Sequence, residues 1–363
     1  MDEFEEKQDR IRALLDERHL DALLLRRVSS FAWVTCGASS YVNTAATYGE
    51  AALLVTPSGR FVITNNIEAT RLEQEEGLAS QGWEMKVAPW HARQTAIEEL
   101  GRGWKLGGDG PFPNATDLSG EIAHLRAELT PAEGLRLRAL GRLCAQAMEQ
   151  AAASVRPGQS ERQIAGSLAA ECECRGVQAI VNLVASDARI YAFRHPLPTD
   201  KLLEKYAMLV LCGRKWGLVC SVTRLVHFGR LRDELRRKQE AVARVDATMI
   251  AATQPSRMLR DIFGEAASAY AQVGFPDEWR SHHQGGPAGY EPREYLATPE
   301  SCESVVAGQA FAWNPSVSGA KSEDTVLVDE AGHEIVTVMP RWPTLSIPVG
   351  GRELLRPAIL EVT

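Results

Sequence analysis

The spacing of apolar residues changes period several times along the chain. Over residues 3–27, Phe4, Ile11, Leu14, Leu15, Leu20 and Leu23 recur at helical intervals, the spacing that puts side chains on one helix face. "DALLLRR" (21–27) is denser and reads as strand, and "SSFAWVTCG" (29–37) continues it. "AALLVTPSGRFVITN" (51–65) holds two apolar runs about the turn residues "TPSG", a hairpin pattern. "AIEELGRGWKLGGDG" (96–110) reads as a helix stopped by glycine, then a short strand. Residues 1–127 thus predict a mixed α/β domain.

The pattern lengthens after residue 127. In "AELTPAEGLRLRALGRLCAQAMEQAAASV" (127–155), Thr130 suits an N-cap, Pro131 the first helical position and Glu133 the third. "SERQIAGSLAAECECRG" (160–176) repeats the scheme, with Ser160 as cap and Gly176 as stop. Strand text follows in "QAIVNLVAS" (178–186) and "YAMLVLCG" (206–213), then two helices in 231–253 and 258–274. The stretch 309–337 reads as strands joined by turns. Residues 128–363 therefore predict an α+β domain in which helices cover a curved antiparallel sheet. No repeat of solenoid period occurs.

Composition narrows the function classes. The chain has 363 residues, 45% hydrophobic and 24% charged, as expected of globular domains with sizeable cores. A net charge of −7, with no basic block, argues against nucleic acid or an anionic membrane as partner. The start "MDEFEEKQDR" has neither a secretion nor a transit pattern, and no apolar run is long enough to cross a bilayer. Seven scattered cysteines, with only Cys172 and Cys174 close together, read as reduced thiols. The expected location is the cytoplasm.

Three segments of the second half carry a resemblance. "SEDTVLVDEAGHEIVT" (322–337), the hairpin "YAMLVLCGRKWGLVCSVTRLVHFG" (206–229) and "HHQGGPAGY" (282–290) resemble, in order and spacing, the methionine aminopeptidase, aminopeptidase P, prolidase and creatinase family. "RPGQSERQIA" (156–165) and "FRHPLPTDK" (193–201) also fit. The resemblance implies a "pita-bread" domain over 128–363, preceded by a smaller creatinase-like domain over 1–127. It also implies a homodimer, the N-terminal domain of one copy near the site of the other.

The resemblance further implies five metal-ligand positions, for two Asp, one His and two Glu. They fall on Leu211 (or Val210), Ser221, Gly286, Asn314 and Glu323. Leucine and glycine offer no donor atom, and serine and asparagine offer neutral oxygens. Two dications need bridging carboxylates to offset their repulsion. The expectation is therefore no metal and no other cofactor. A mononuclear site of His282, His283 and Glu323 is the sharper metal alternative, and it requires both histidines to lie in a loop.

Creatinase, the member type that works without metal, suggests roles for what remains. His195 falls on its catalytic histidine and serves as acid/base. Glu323 holds a substrate N–H or orients water, and His282 donates to an oxyanion. Arg224 clamps a substrate carboxylate. His283, Tyr290, Asn314 and Ser221 complete a substrate-binding set. Each residue also has a plain structural reading: Arg224 as a buried partner of Glu323 or Asp324, His283 as a packed ring, and Trp216, Trp279 and Trp313 as core. Three functions stay open. They are a metal-independent hydrolase or lyase acting on a C–N bond of a small polar molecule, an Xaa-Pro-type peptidase with an atypical metal set, and a binding module without chemistry.

Overall fold

A computed structural model describes residues 2–330 and 332–363. The chain divides into two compact units, 1–126 with 216–218, and 127–215 with 219–363.

The first unit is a six-stranded mixed sheet flanked by helices. Its strands are β1 (Ala22–Arg27), β2 (Tyr48–Val55), β3 (Arg60–Asn65), β4 (Glu84–Ala88), β5 (Leu106–Gly108) and β6 (Ala115–Asp117), in the order β4-β3-β2-β1-β5-β6. Helices α1 (Glu3–Arg18), α2 (Val28–Val34), α3 (Ala69–Gln74), α4 (Arg93–Leu100) and α5 (Ser119–Ala127) alternate with them. The hairpin around "TPSG" forms as expected, Val55 facing Arg60. One expectation fails. Residues 29–34 continue β1 not as strand but as the helix α2, whose seven residues are all buried. Phe31, Trp33 and Val34 carry strand propensity, but burial on every side lets tertiary packing override it.

The second unit starts on α6 (Pro131–Ser154), where Thr130 and Glu133 form the capping box that the sequence signals. Helix α7 (Glu161–Glu173) starts the same way on Ser160 and Gln163. Such a cap contributes about 1 kcal/mol and fixes where each helix begins. Strands β7 (Gln178–Ser186), β8 (Tyr206–Lys215) and β9 (Leu218–Phe228) follow, with the short helix α8 (Ala188–Ala192) between the first two. Helices α9 (Asp233–Ala252) and α10 (Leu259–Gln272) precede β10 (Gly285–Ala288), β11 (Ala310–Trp313), β12 (Ser316–Val317), β13 (Ala320–Lys321), β14 (Asp324–Asp329) and β15 (Gly332–Ile335). The C-terminal strands are β16 (Thr344–Val349), β17 (Arg352–Pro357) and β18 (Leu360–Val362).

Two four-stranded sheets frame the site, β18-β9-β8-β7 and β10-β11-β14-β15. They meet at an antiparallel bridge between Thr223 and Glu323. Behind the second sheet, Val242, Val245, Met249, Ile262 and Tyr270 from α9 and α10 pack on Phe311, Trp313, Val326 and Val328. Trp313 belongs to this core: its ring stacks on Phe311, and its Nε1 donates to Thr253 Oγ1. No helix of the described residues is long and apolar enough to cross a membrane.

Candidate functional site

The extended chain from Lys321 to Thr325 sorts its side chains by alternation. Successive residues of a strand point to opposite faces. Lys321, Glu323 and Thr325 face the β9 hairpin, whereas Ser322 and Asp324 face α9 and the C-terminal strands. The acidic pair that the sequence presents as one motif therefore serves two places.

On the first face, Glu323 is 2% exposed and held from three sides. Lys321 Nζ lies 2.8 Å from Oε2, and Arg293 Nη2 lies 3.0 Å from Oε1. Thr223 Oγ1 donates to Oε2 at 2.6 Å. Burial alone would raise the Glu323 pKa, but Lys321 and Arg293 override it and pull the value down to about 2. Arg293 also donates to Ser221 Oγ at 3.2 Å. Ser221 in turn sits 3.3 Å from Cys212 Sγ.

Three imidazoles gather beside this cluster. His282 Nε2 lies 3.0 Å from His195 Nε2, and the His282 and His283 rings stack at 4.4 Å between centroids. His282 and His283 follow a short 3-10 turn (Glu278–Ser281) and precede β10, so they lie in a loop, where adjacent rings can share a side. His195 is in the exposed loop after α8. All three rings are held neutral. Burial, then Lys321, lowers the His195 pKa. The same causes bring His282 down to about 2, and burial with Arg293 brings His283 down to about 4. The Nδ1 atoms of His282 and His283 are buried without a hydrogen-bond partner, as is Asn314 Oδ1.

The second face is buried and ion-paired. Arg356 spans Asp246 (2.6 Å) and Asp324 (2.7 Å), and Arg224 Nη2 donates to Asp324 Oδ1 at 2.8 Å. Thr337 donates to Asp324 Oδ1 and Ser322 to Asp246. Arg224, expected on a substrate carboxylate, is thus only 3% exposed and committed to Asp324; the plain reading of that residue is the one observed. Tyr290 is corrected in the same way. Its hydroxyl is buried against Glu133 Oε1 at 2.6 Å, tying the β10 loop to the first turn of α6. His195, Glu323, His282, His283 and Ser221 come together with Lys321 and Arg293, and Asn314 sits in the next strand connection, its N–H bonded to Gln284 O.

Sequence reasoning missed Lys321 and Arg293. The available signal was spacing: Lys321 is two residues before Glu323 on an extended segment, so it must share its face.

These donors do not fit two bridged dications. Glu323 is the single carboxylate of the five positions, and two side-chain cations already contact its oxygens. Leu211 is fully buried in β8. At Gly286 a Cβ would lie 2.5 Å from Tyr295 O, so no ligand side chain fits there without backbone movement.

Comparison with known proteins bears on the family and the fold. Residues 136–330 match the model of metallopeptidase family M24. An uncharacterized peptidase of Staphylococcus saprophyticus is 24% identical over 234 residues, covering 61% of this chain and 65% of that protein, just under two thirds of its length. The fold is that of the Xaa-Pro dipeptidase from Bacillus anthracis, with a TM-score of 0.79, 19% identity, and coverage of 99% of this chain and 100% of that one. The N-terminal domain of FACT complex subunit SPT16 from chickpea (Cicer arietinum) shares it too, with a TM-score of 0.72, 13% identity, and coverage of 93% and 96%. The "pita-bread" architecture with a smaller preceding domain is therefore the one expected from the sequence, and the chain belongs to metallopeptidase family M24.

Proposed function

We propose that this protein hydrolyses the C–N bond of a small, carboxylate-bearing substrate of the peptide type, with side chains in place of a two-metal centre. The observation that carries the reading is the pair Lys321 and Arg293 closing on Glu323. Two cations against one carboxylate leave one positive charge in excess in that cluster, and a substrate carboxylate offsets it. The family and the peptidase names of its relatives support amide hydrolysis as the reaction class.

The geometry suggests a division of labour. His195, neutral and at the exposed edge, takes a proton from water as its oxygen attacks the carbonyl carbon. The proton then goes to the leaving nitrogen as the C–N bond breaks. His282, 3.0 Å away, holds the His195 ring by the N–H···N bond between them. In the neutral tautomer with the ring proton on Nδ1, where His282 Nε2 accepts from His195 Nε2–H, the unpartnered Nδ1 atoms of His282 and His283 donate to the oxyanion. Glu323, pulled down to about 2 and held from three sides, anchors the two cations and is not the base.

The test is turnover of Xaa-Pro and other dipeptides by protein exhaustively treated with a chelator. Activity should persist, and His195→Ala should lose it while keeping its melting temperature. Activity abolished by chelation and restored by Mn2+ or Co2+ would instead support the metal-dependent Xaa-Pro-type peptidase. One observation favours a second reading, a binding module: Glu323 is fully engaged, leaving no free carboxylate on this face among the residues described. Dipeptide binding by calorimetry without turnover in the wild-type chain would favour it.

A further inference from the structure

The three histidines form a group with its own chemistry. Their ligating nitrogens all lie within 4.8 Å of one another. None of the three occupies any of the five positions of the family's ligand set. We propose that His195, His282 and His283 bind one borderline divalent cation, such as Zn2+, at a site independent of Glu323.

Geometry and donor type both point this way. Zinc–imidazole bonds of about 2.0–2.1 Å in a tetrahedral site put ligand nitrogens about 3.3 Å apart. His282 Nε2 and His195 Nε2 are already at 3.0 Å. The third nitrogen must close by up to about 1.5 Å relative to the 4.8 Å limit, a ring rotation for partly exposed side chains. The stacked pair sits in a loop, so two consecutive residues present rings to one side. Neutral imidazole is the metal-binding form, and three nitrogens without a carboxylate select zinc, nickel or copper over magnesium, calcium or manganese. Lys321 and Arg293 oppose a cation here and Glu323 offsets one of them, so the site is weaker than an anionic one of the same geometry.

The ion would occupy lone pairs that His195 needs as a base. Resting on the hydrolase reading, this makes zinc an off-switch: removing it raises turnover, the opposite sign from a metal-activated peptidase.

The binding test does not depend on turnover. Metal-free full-length protein is titrated with Zn2+ against a chromophoric chelator, and with Co2+ by visible absorption. One equivalent with a four-coordinate Co2+ spectrum is expected. His283→Ala and His195→Ala should each weaken binding at least tenfold, while Glu323→Gln keeps the stoichiometry and the spectrum. His195 lies in an exposed loop, so its variant carries the test if His283→Ala does not fold. The proposal is overturned by an absence of saturable binding, by two equivalents, by loss of the Co2+ spectrum in folded Glu323→Gln, or by binding that survives His195→Ala. Tight one-site binding in a chain that, even when metal-free, turns over no dipeptide would remove the hydrolase reading and keep the metal site.

Discussion

Glu323 and Asp324 are neighbours, each 2% exposed, and each is held by two cations and a threonine hydroxyl. Their surroundings differ. Asp324 belongs to a group of two aspartates and two arginines, Asp246, Asp324, Arg224 and Arg356, whose charges sum to zero. Glu323 faces Lys321 and Arg293 alone and stands beside three neutral imidazoles. A balanced buried network holds strands together. An unbalanced one with orphaned nitrogens leaves chemistry to be completed from outside, by a substrate or an ion. The comparison also explains why Arg224 and Arg293, two arginines near one acidic pair, do different work: strand alternation puts them on opposite sides.

The comparison breaks most visibly if the balanced side is disturbed. Arg356→Ala leaves Asp246 and Asp324 buried with only Arg224 beside Asp324. Breaking a buried pair in this way costs about 3–5 kcal/mol. Urea denaturation should show that loss, and a change below about 1 kcal/mol would mean that the network is not what holds β14, α9 and β17 together.

The unbalanced side should show itself in acid. The Glu323 carboxyl is held at about 2 in the folded protein, below its usual 4.5, so the unfolded chain binds its proton first as pH falls. The stabilisation is fully present above about pH 4.5 and is lost progressively as pH falls towards 2. The groups in direct contact with the carboxylate are Lys321, Arg293 and Thr223. Full loss corresponds to a few kcal/mol. Comparing the pH dependence of stability in wild type and Glu323→Gln isolates the contribution. Parallel curves between pH 4.5 and 2 would show that Lys321 and Arg293 do not hold the carboxylate.

How much of this was legible in sequence depends on the range of the cause. Both capping boxes are set by residues three apart, so Thr130 and Ser160 could be read directly. The opposite duties of Glu323 and Asp324 were legible in principle, because a strand's period is two. Helix α2 was not, since its Phe-Ala-Trp-Val text suits a strand and only the surrounding burial decides. The histidine cluster was half legible: His282 and His283 are adjacent, but His195 joins them from 87 residues away. Lys321 and Arg293 were missed for a chemical reason. A search for metal ligands looks for electron-pair donors, whereas these two positions carry the positive charge itself.

The smallest effect tests the hydroxyl shared between the two sheets. Thr223 Oγ1 donates to Glu323 Oε2 at 2.6 Å, and the two residues also form the backbone bridge between β9 and the segment before β14. Thr223→Val keeps the shape and the backbone bond but removes the donor. A hydrogen bond to a charged group contributes about 1.5–3 kcal/mol, and Lys321 contacts the same oxygen at 2.8 Å, so the lower end, about 1.5 kcal/mol, is expected. The loss should appear above pH 4.5 and shrink in acid as Glu323 becomes protonated, which a conventional packing defect would not do. A pH-independent loss would assign Thr223 to the sheet alone, and the carboxylate would then be held by its two cations without the hydroxyl.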